Sequence, residues 1–442
     1  MSTQPARGMR DFLPDDVRRR EYVVGIIRDV YDRYGFEPLD TPAVENIDTL
    51  LGKYGDEGNK LIFKILMRGE HEASGQADLA LRYDLTVPLA RVVAEYQSKL
   101  PRIFKRYQIQ PVWRADRPSR GRFREFYQCD IDSIGSQSPV VEAEQIAAVS
   151  EILTALGFRD FTVRLNHRAV LAGILASADV ADTLHADALV ALDKLDKVGV
   201  DGVRAELMAR GLSEDSARRL LSLTGSAPSD DPLSDIDHLR GQIGHLPAAA
   251  DGLSNLEEIV RLSSARSHVR IDKSLARGLS YYTGAIMEIS VHDLPGSLGA
   301  GGRYDNLIGM FLGSDVPACG FSLGLERILV VMQERGMFPE HVERSSVDVV
   351  VAALEPAARH AAMETAAGLR KGTTLRVDLF PDASKKMDRI FKYVDQRRAK
   401  FIATLGGNEV SDGTVTLRNV AAKKNETVKR EDAAATIVKA IW

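Results

Sequence analysis

Five arginines lie within eleven positions of one segment, at Arg114, Arg117, Arg120, Arg122 and Arg124. Guanidinium groups bind phosphate oxygens in a planar, bidentate geometry, so arginines at this density are typical of a site for a phosphorylated ligand. The alternative is a solvated hairpin in which Asp116 and Glu125 neutralise the arginines. The residue pattern alone favours phosphate binding only modestly over that alternative.

The same segment continues with the two-residue period of a β-strand. Its predicted polar face carries Arg122, Arg124, Phe126, Gln128, Asp130 and Asp132. The phenylalanine stands out among these polar groups, and its ring offers a surface on which a base could stack. Residues 104–114 form another predicted strand, and the intervening residues 115–121 contain a proline and a glycine, both turn residues. The sequence therefore predicts an antiparallel hairpin with a long, arginine-rich loop.

Other clusters could also contribute to a site. Asp84 and Thr86 stand at a predicted strand-to-helix junction, where they could cap the helix or accept hydrogen bonds from an ammonium group. Residues 277–284, RGLSYYTG, lead into a predicted strand over residues 285–291, and tyrosines there are also ordinary sheet residues. The glycines of residues 299–302 would let a ligand approach the backbone closely.

Length, charge and cysteine content limit the class of protein. A chain of 442 residues predicts two or three domains. Its net charge of −4 gives no general attraction for nucleic acid, so any RNA binding must use local basic patches. Cys129 and Cys319 lack metal-ligand spacing and fit a reduced environment. Without a long apolar run or a signal peptide, the sequence predicts a cytoplasmic protein with no membrane span.

The first two thirds of the chain predict a framework for these clusters. An amphipathic helix over residues 15–34 is followed by a strand over residues 36–44. Pro38 and Pro42 place that strand at a sheet edge or an interface, because proline cannot donate to a β-ladder. Residues 168–263 are rich in alanine and leucine with a helical period, which predicts an inserted helical module.

The last third has a different pattern. After a predicted linker at residues 336–346, strand and helix patterns alternate over residues 347–442, which predicts a separate α/β domain. Residues 385–400 contain seven lysines and arginines against Asp388 and Asp395. Such a run is a solvated helix face or a face that contacts RNA phosphates.

Several of these segments resemble one enzyme family. WRADRPSRGRFREFYQCDID, residues 113–132, resembles motif 2 of class II aminoacyl-tRNA synthetases, and its wording is nearest to the eukaryotic-like branch of histidyl-tRNA synthetases. RGLSYY, residues 277–282, resembles the Arg-Gly-Leu-Asp-Tyr-Tyr pattern of that family, with Ser280 in place of aspartate. ACGFSLGLER, residues 318–327, resembles motif 3, and the first helix and strand resemble motif 1, with Pro42 as its proline.

The resemblance implies a role for each candidate residue. It implies that Arg114 and Arg277 are catalytic and stabilise charge at the α-phosphate of ATP. The implied ATP-binding residues are Arg114, Asp116, Arg122, Phe126 and Arg327. The implied histidine-binding residues are Asp84, Thr86, Gln128, Asp132, Arg277, Tyr281 and Tyr282. Asp116 stands where these enzymes usually carry glutamate, so its reach is shorter.

The resemblance also implies a fold and a reaction. The expected fold is α+β, with a class II synthetase-like antiparallel sheet flanked by helices, a helical insertion and a C-terminal α/β anticodon-binding domain. The expected domains are a catalytic domain over residues 1–167 and 264–335, the insertion over 168–263, the linker over 336–346 and the anticodon-binding domain over 347–442. The implied reaction activates L-histidine with ATP and transfers it to the 3′ end of histidine tRNA. The expected protein is a homodimer that uses Mg²⁺ together with ATP and has no metal site of its own.

Two other functions remain open at this point. A non-catalytic regulatory paralogue of ATP phosphoribosyltransferase would share the fold, but such proteins lack the C-terminal domain and lose the RGLSYY-type block. This chain keeps both segments, and Ser280 is the one residue in favour of the paralogue. An RNA-binding scaffold without turnover is the other alternative.

Overall fold

The structure is a computed structural model that describes residues 3–53, 58–69, 74–276, 281–343 and 347–441. The chain divides into two compact units, Met1–Phe338 and Pro339–Trp442. This division falls within the predicted linker, and the predicted domain limits stay predictions. Within the described ranges, no helix combines the length and the hydropathy needed to cross a membrane.

The first unit contains an eight-stranded sheet and a three-stranded sheet. Its strands are β1 (Glu37–Pro38), β2 (Val44–Asn46), β3 (Lys64–Leu66), β4 (Ala77–Leu81), β5 (Phe104–Trp113), β6 (Glu125–Ile134), β7 (Thr162–His167), β8 (Val269–Ile271), β9 (Ala285–Ser290), β10 (Ser297–Arg303) and β11 (Ala318–Gly324). The large sheet has the order β1-β5-β6-β11-β10-β9-β7-β8, and the small one has the order β2-β4-β3. All neighbours in the large sheet pair antiparallel except β1 with β5 and β7 with β8, which pair parallel at the two edges. The predicted antiparallel α+β fold is confirmed.

Helices surround this sheet and fill the long stretch between β7 and β8. Among the described residues, the α-helices of the unit include α1 (Pro14–Arg33), α2 (Ile47–Leu50), α3 (Thr86–Tyr96), α4 (Val140–Ala155), α5 (Arg168–Ser177), α6 (His185–Leu192), α7 (Leu195–Ala209), α8 (Glu214–Thr224), α9 (Pro232–Ile243), α10 (Pro247–Leu262), α11 (Gly309–Leu312) and α12 (Leu325–Glu334). Short 3₁₀ turns occur at Asp182–Leu184 and Arg266–His268. Helices α5 to α10 are the predicted helical module, and α7 is kinked at Gly199, where φ is 70°.

Strands β5 and β6 form the predicted antiparallel hairpin and are the second and third strands in the order of the large sheet. The hairpin pairs over its whole length, from Phe104 opposite Ile134 to Trp113 opposite Glu125. Cys129 and Ile131 on one face of β6 are completely buried in the core that includes α1 and α4. Because side chains alternate along a strand, the polar residues between them face the other side of the sheet.

Two predicted strand assignments near the hairpin are wrong. Strand β6 begins at Glu125, so Arg122 and Arg124 lie in the loop and not on the strand. Ser119 and Arg122 exchange two backbone hydrogen bonds of 2.9 and 3.1 Å, and the backbone N–H of Arg124 donates to Gly8 O at 2.8 Å. These bonds shape the loop, while Arg124 O still accepts from Arg114 N at 2.9 Å beside the end of β5.

The predicted strand over residues 36–44 is also interrupted. The structure has β1 at the edge of the large sheet and β2 in the small sheet, with non-strand residues between them. Pro38 and Pro42 provide the reason, since neither residue has a backbone N–H for a continuous ladder. The edge position of the proline-bearing strand agrees with the prediction.

The second unit is an α/β domain. Its strands are β12 (Val349–Ala353), β13 (Val377–Phe380), β14 (Phe401–Leu405), β15 (Thr414–Asn419) and β16 (Lys424–Lys429), in the order β13-β12-β14-β15-β16. Its helices are α13 (Glu340–Glu343), α14 (Arg359–Arg370), α15 (Met387–Arg397), α16 (Gly407–Asp412) and α17 (Ala433–Ile441), with a 3₁₀ turn at Pro356–Ala358. The alternating pattern predicted from the sequence is confirmed.

Candidate active site

A cavity of about 340 Å³ lies on the polar face of the large sheet. Eleven of the twelve predicted substrate-binding residues line it: Asp84, Thr86, Arg114, Asp116, Arg122, Phe126, Gln128, Asp132, Tyr281, Tyr282 and Arg327. The twelfth, Arg277, lies outside the described residues, as does Ser280. The fold therefore brings candidates from four separate segments of the chain together, while the ligand that each residue contacts stays a prediction.

Asp132 is a buried carboxylate of the cavity with two close partners. It is only 2% exposed, and its Oδ1 accepts a hydrogen bond from the Tyr304 hydroxyl. Its Oδ2 lies 2.7 Å from Nη2 of Arg106, a completely buried guanidinium. This ion pair lacks the angle of a hydrogen bond, so Oδ2 accepts none from any described residue. Gly320 lies opposite Asp132 on β11, and a Cβ there would come within 1.9 Å of Oδ1, so only glycine leaves room for this carboxylate.

The surroundings of Asp132 are rich in carboxylates. Asp84 and Asp130 also line the cavity, and both are nearly inaccessible to solvent. Burial raises the pKa of Asp130 and of Asp132, and the positive charge of Arg106 opposes that rise in both. Asp130 and Asp132 share the charge of Arg106, and Asp84 adds a third carboxylate that acts on both, which gives this end of the cavity an affinity for a cation.

Gln128 and the tyrosines complete the same end of the cavity. Gln128 donates through Nε2 to the Ser322 hydroxyl at 2.9 Å, and its Oε1 makes no hydrogen bond within the described part of the chain. The Tyr281 and Tyr282 rings meet edge to face with their centres 5.4 Å apart. Tyr304 packs against the other side of Tyr281 at 5.8 Å.

Asp84 caps a helix, which is one of the two alternatives that its sequence position left open, and it also lines the cavity. Its Oδ1 accepts from the backbone N–H of Val87 at 3.1 Å, in the first turn of α3. Its Oδ2 lies 3.4 Å from the Tyr281 hydroxyl inside the cavity. The carboxylate therefore caps a helix and also presents an oxygen beside the tyrosine pair.

Arginines gather at the loop end of the cavity. Arg114 follows β5 directly, and its Nε donates to Tyr83 O at 3.0 Å. Its guanidinium carbon lies 4.2 Å from the ring centre of Tyr83 and 5.3 Å from that of Phe126. Arg327 stands in the first turn of α12 and donates through Nη1 to Ser297 O. Arg122 lines the cavity from the loop and is exposed.

Two of the five clustered arginines hold the loop and do not line the cavity. Arg124 donates through Nε to Asp116 O at 3.0 Å, within the loop itself. Arg120 pairs with Glu334 at the end of α12 and donates to Asp293 O at 3.2 Å. The clustered arginines therefore have two roles: some line the cavity, and others hold the loop in place.

Several residues of the site were not assigned a role from the sequence, among them Arg106, Asp130, Tyr304 and Glu326. Glu326 is 2% exposed and accepts from the backbone N–H of Tyr127 at 2.9 Å, and burial raises its pKa to about 7. The predicted hairpin placed Arg106 on the strand next to Asp132, but a loop over residues 115–121 would set it opposite Asp130, whereas the structure pairs it with Asp132. Tyr304 follows the glycine cluster on β10, but only the order of strands shows that it reaches Asp132.

Comparison with known proteins gives consistent results for both units. Residues 8–328 match the family Histidyl-tRNA synthetase, and residues 348–440 match the family Anticodon binding domain. The histidine–tRNA ligase of Gloeobacter violaceus is 40% identical, covering 95% of each chain. That of Flavobacterium johnsoniae is 36% identical, covering 99% of this chain and 100% of the relative. The crystal structure of histidyl-tRNA synthetase from Nostoc sp. PCC 7120 superimposes with a TM-score of 0.82 over 100% of both chains, at 29% identity.

These relatives correct one detail of the sequence-based assignment. The motif 2 wording pointed to the eukaryotic-like branch, yet the relatives at 36–40% identity over nearly the whole chain are bacterial. The branch assignment is not borne out. A short motif of buried and ligand-facing residues reflects the chemistry of the pocket, whereas identity over the whole length reflects ancestry.

Proposed function

The chain belongs to the histidyl-tRNA synthetase family, and we propose that its cavity activates L-histidine with ATP before transfer to the 3′ end of histidine tRNA. One observation carries this proposal: a single cavity is lined by arginines and Phe126 at its loop end and by buried carboxylates around Asp132 at the other. Phe126 and Asp132 are six residues apart on β6, which corresponds to about 20 Å. The same strand can therefore contact a nucleotide and an amino acid laid end to end.

In the first step, the histidine carboxylate attacks the α-phosphorus of ATP. A bond forms between carboxylate oxygen and phosphorus, and the bond to the β-phosphate oxygen breaks as pyrophosphate leaves. Arg114 and Arg277 would stabilise the negative charge on the α-phosphate, and Arg327 would bind the γ-phosphate. Phe126 would stack on the adenine, with Asp116 and Arg122 contacting ATP from the loop. Such catalysis uses positioning and fixed positive charge and needs no covalent enzyme intermediate.

The carboxylate-rich end would hold the amino acid. Asp84, Thr86 and Gln128 offer acceptors for the α-ammonium group, since all three line the cavity and carry oxygens. The Asp132 Oδ2, buried and without a hydrogen bond from a described residue, would accept from an imidazole N–H. Tyr281 and Tyr282 would enclose the imidazole ring. A substrate side chain that cannot donate would leave this buried oxygen of Asp132 without a hydrogen bond, so such a substrate would bind more weakly than histidine.

Magnesium would enter with ATP. Mg²⁺ is usually bound by one or two carboxylates together with substrate phosphates, and Asp116 is a carboxylate on the loop side of the cavity. The ion would neutralise phosphate charge there, while Arg114 and Arg327 orient the triphosphate.

The second step would transfer histidine to tRNA. A hydroxyl of the terminal ribose attacks the carbonyl carbon of histidyl-adenylate, and AMP leaves. Residues 348–440 match an anticodon-binding family, so this unit would bind the far arm of the tRNA, with the basic helix α15 as one contacting face. Helix α1 and the edge strand β1 would form the interface of a homodimer. Both cysteines are free and buried, which is compatible with the cytoplasm as the site of action.

Histidine-dependent exchange of pyrophosphate into ATP tests this function. The wild-type chain is expected to exchange label with histidine and not with other amino acids. A regulatory paralogue or an RNA-binding scaffold would give no exchange with any amino acid. Exchange that required an amino acid other than histidine would refute the proposed substrate.

A further inference from the structure

The segment that precedes α1, residues 7–12, packs against the arginine-rich loop. The backbone O of Gly8 accepts from Arg124 N at 2.8 Å, and Arg124 Nη1 reaches Arg7 O at 3.5 Å. Gly8 has φ +83°, and a Cβ at this position would lie 2.8 Å from side-chain carbons of both Arg124 and Pro118. A left-handed glycine is therefore needed for the segment to lie this close to the loop.

Arg10 of this segment contacts a residue that lines the cavity. Its guanidinium carbon lies 4.4 Å from the ring centre of Phe12 and 4.3 Å from that of Phe123, a residue that lines the cavity. On the other side of Phe12, Arg20 of α1 lies 4.8 Å from the same ring. Arginines and phenylalanines thus alternate from α1 to the wall of the cavity, in the order Arg20, Phe12, Arg10, Phe123.

The charge of the same guanidinium also acts on the motif 3 helix. The charges of Arg10 and Glu326 act on each other: Glu326 raises the pKa of Arg10, and Arg10 lowers that of Glu326, each against the larger effect of burial. Glu326 directly precedes Arg327 and fixes the start of α12 to β6 through Tyr127 N. Arg10 Nε is buried and makes no hydrogen bond to any described residue, so the two ring contacts and the charge of Glu326 are the interactions that act on this guanidinium here.

We propose that Arg10 is a positioning residue for ATP, which holds Phe123 of the loop and Glu326 of α12 so that Arg122 and Arg327 converge on one triphosphate. This inference rests on the proposed assignment of the loop end of the cavity to ATP. Arg10 itself does not line the cavity. Its loss should therefore weaken ATP binding and leave the histidine end of the cavity, around Asp132, unaffected.

The test compares variants of the full chain. Arg10→Met removes the charge and keeps a long side chain, and losing a desolvated cation from between two rings should raise both the KM and the Kd for ATP about tenfold. Arg10→Lys keeps a cation between the rings and should stay within about threefold of wild type. Arg7→Met is the matched control, because the Arg7 side chain is exposed and should leave both constants unchanged.

Two measurements separate this inference from the proposed function. Pyrophosphate exchange gives the KM for ATP and for histidine, and calorimetry without histidine gives the Kd for ATP. A rise for ATP alone supports the positioning role, whereas equal changes in both KM values, or a Kd for ATP within about twofold of wild type, would overturn it. If Arg10→Met fails to fold, Gly8→Ala should show the same selective loss, since its Cβ pushes the loop away. Absence of exchange in the wild type would defeat the proposed function, while the calorimetry still decides the role of Arg10.

Discussion

Asp132→Asn is expected to separate histidine recognition from ATP binding. The substitution keeps the shape of the side chain and one acceptor oxygen, but it removes the charge beside Arg106. In the structure Asp132 is 2% exposed, and its Oδ2 lacks a hydrogen bond from described residues, so the imidazole N–H would be its donor. Losing a charged hydrogen bond in a buried site costs about 2–4 kcal/mol. At 1.36 kcal/mol per factor of ten, kcat/KM for histidine should fall about thirty- to a thousandfold.

Stability must be measured with the activity, because the same carboxylate pairs with a completely buried guanidinium. Removing one partner of a buried ion pair destabilises a protein by about 3–5 kcal/mol. Asp132→Ala should therefore lower the melting temperature more than Asp132→Asn, which still offers an oxygen to the Tyr304 hydroxyl. A folded Asp132→Asn protein is thus the better reporter of binding.

The assay is pyrophosphate exchange at varied histidine and varied ATP, on protein shown by thermal melting to be folded. The KM for ATP should change little, because Asp132 lies at the opposite end of β6 from Phe126. If Asp132→Asn activates histidine within about threefold of wild type, well under one such hydrogen bond, the assignment of Asp132 to the imidazole is wrong. A parallel loss for ATP would show that the variant disturbs the whole cavity.

Further predictions concern charge, division of labour and assembly. Glu326 has a folded-state pKa of about 7, above the ordinary 4.5, so its stabilising contribution is complete below about pH 4.5 and is lost as pH rises through 7. The wild type should therefore lose about 3 kcal/mol more than Glu326→Gln between pH 4.5 and pH 8.5 in urea unfolding, and identical pH profiles would disprove the shift. Removing residues 339–442 should spare pyrophosphate exchange and abolish tRNA charging; equal loss of both in a folded truncation would contradict the assigned roles. Light scattering at micromolar concentration should give the mass of a dimer, and a fully active monomer would refute the interface at α1 and β1.

The alternation of side chains made much of the site predictable. A strand period of two places Gln128, Asp130 and Asp132 on one face, independently of the rest of the fold. The apolar residues that alternate with them identify the face that packs on the core. The residues that share one face of a strand, and so line the site together, can therefore be predicted from the sequence. The hairpin register did not follow from the sequence, because the loop is longer than predicted and Arg106 pairs with Asp132 rather than with Asp130.

Contacts that depend on the order of strands in the sheet could not be predicted from the sequence. Tyr304 follows β10 and reaches Asp132 past the intervening strand β11, where Gly320 lacks the side chain that would block the contact. No periodicity reveals that β11 lies between β6 and β10. The docking of Gly8 and Arg10 on the loop was missed for the same reason, since it joins segments more than a hundred residues apart. One strand was predicted over residues 36–44, and the structure has two short strands there. The alternation of side chains does not show where a strand is interrupted.

The most direct test of the account is transfer of labelled histidine to histidine tRNA by the full-length chain with ATP. The account predicts that label appears at the 3′ end of the tRNA, that it requires ATP, and that a transcript with an oxidised terminal ribose takes up none. A folded protein that leaves histidine tRNA unlabelled under these conditions, or that charges it with another amino acid instead, would contradict the central claim.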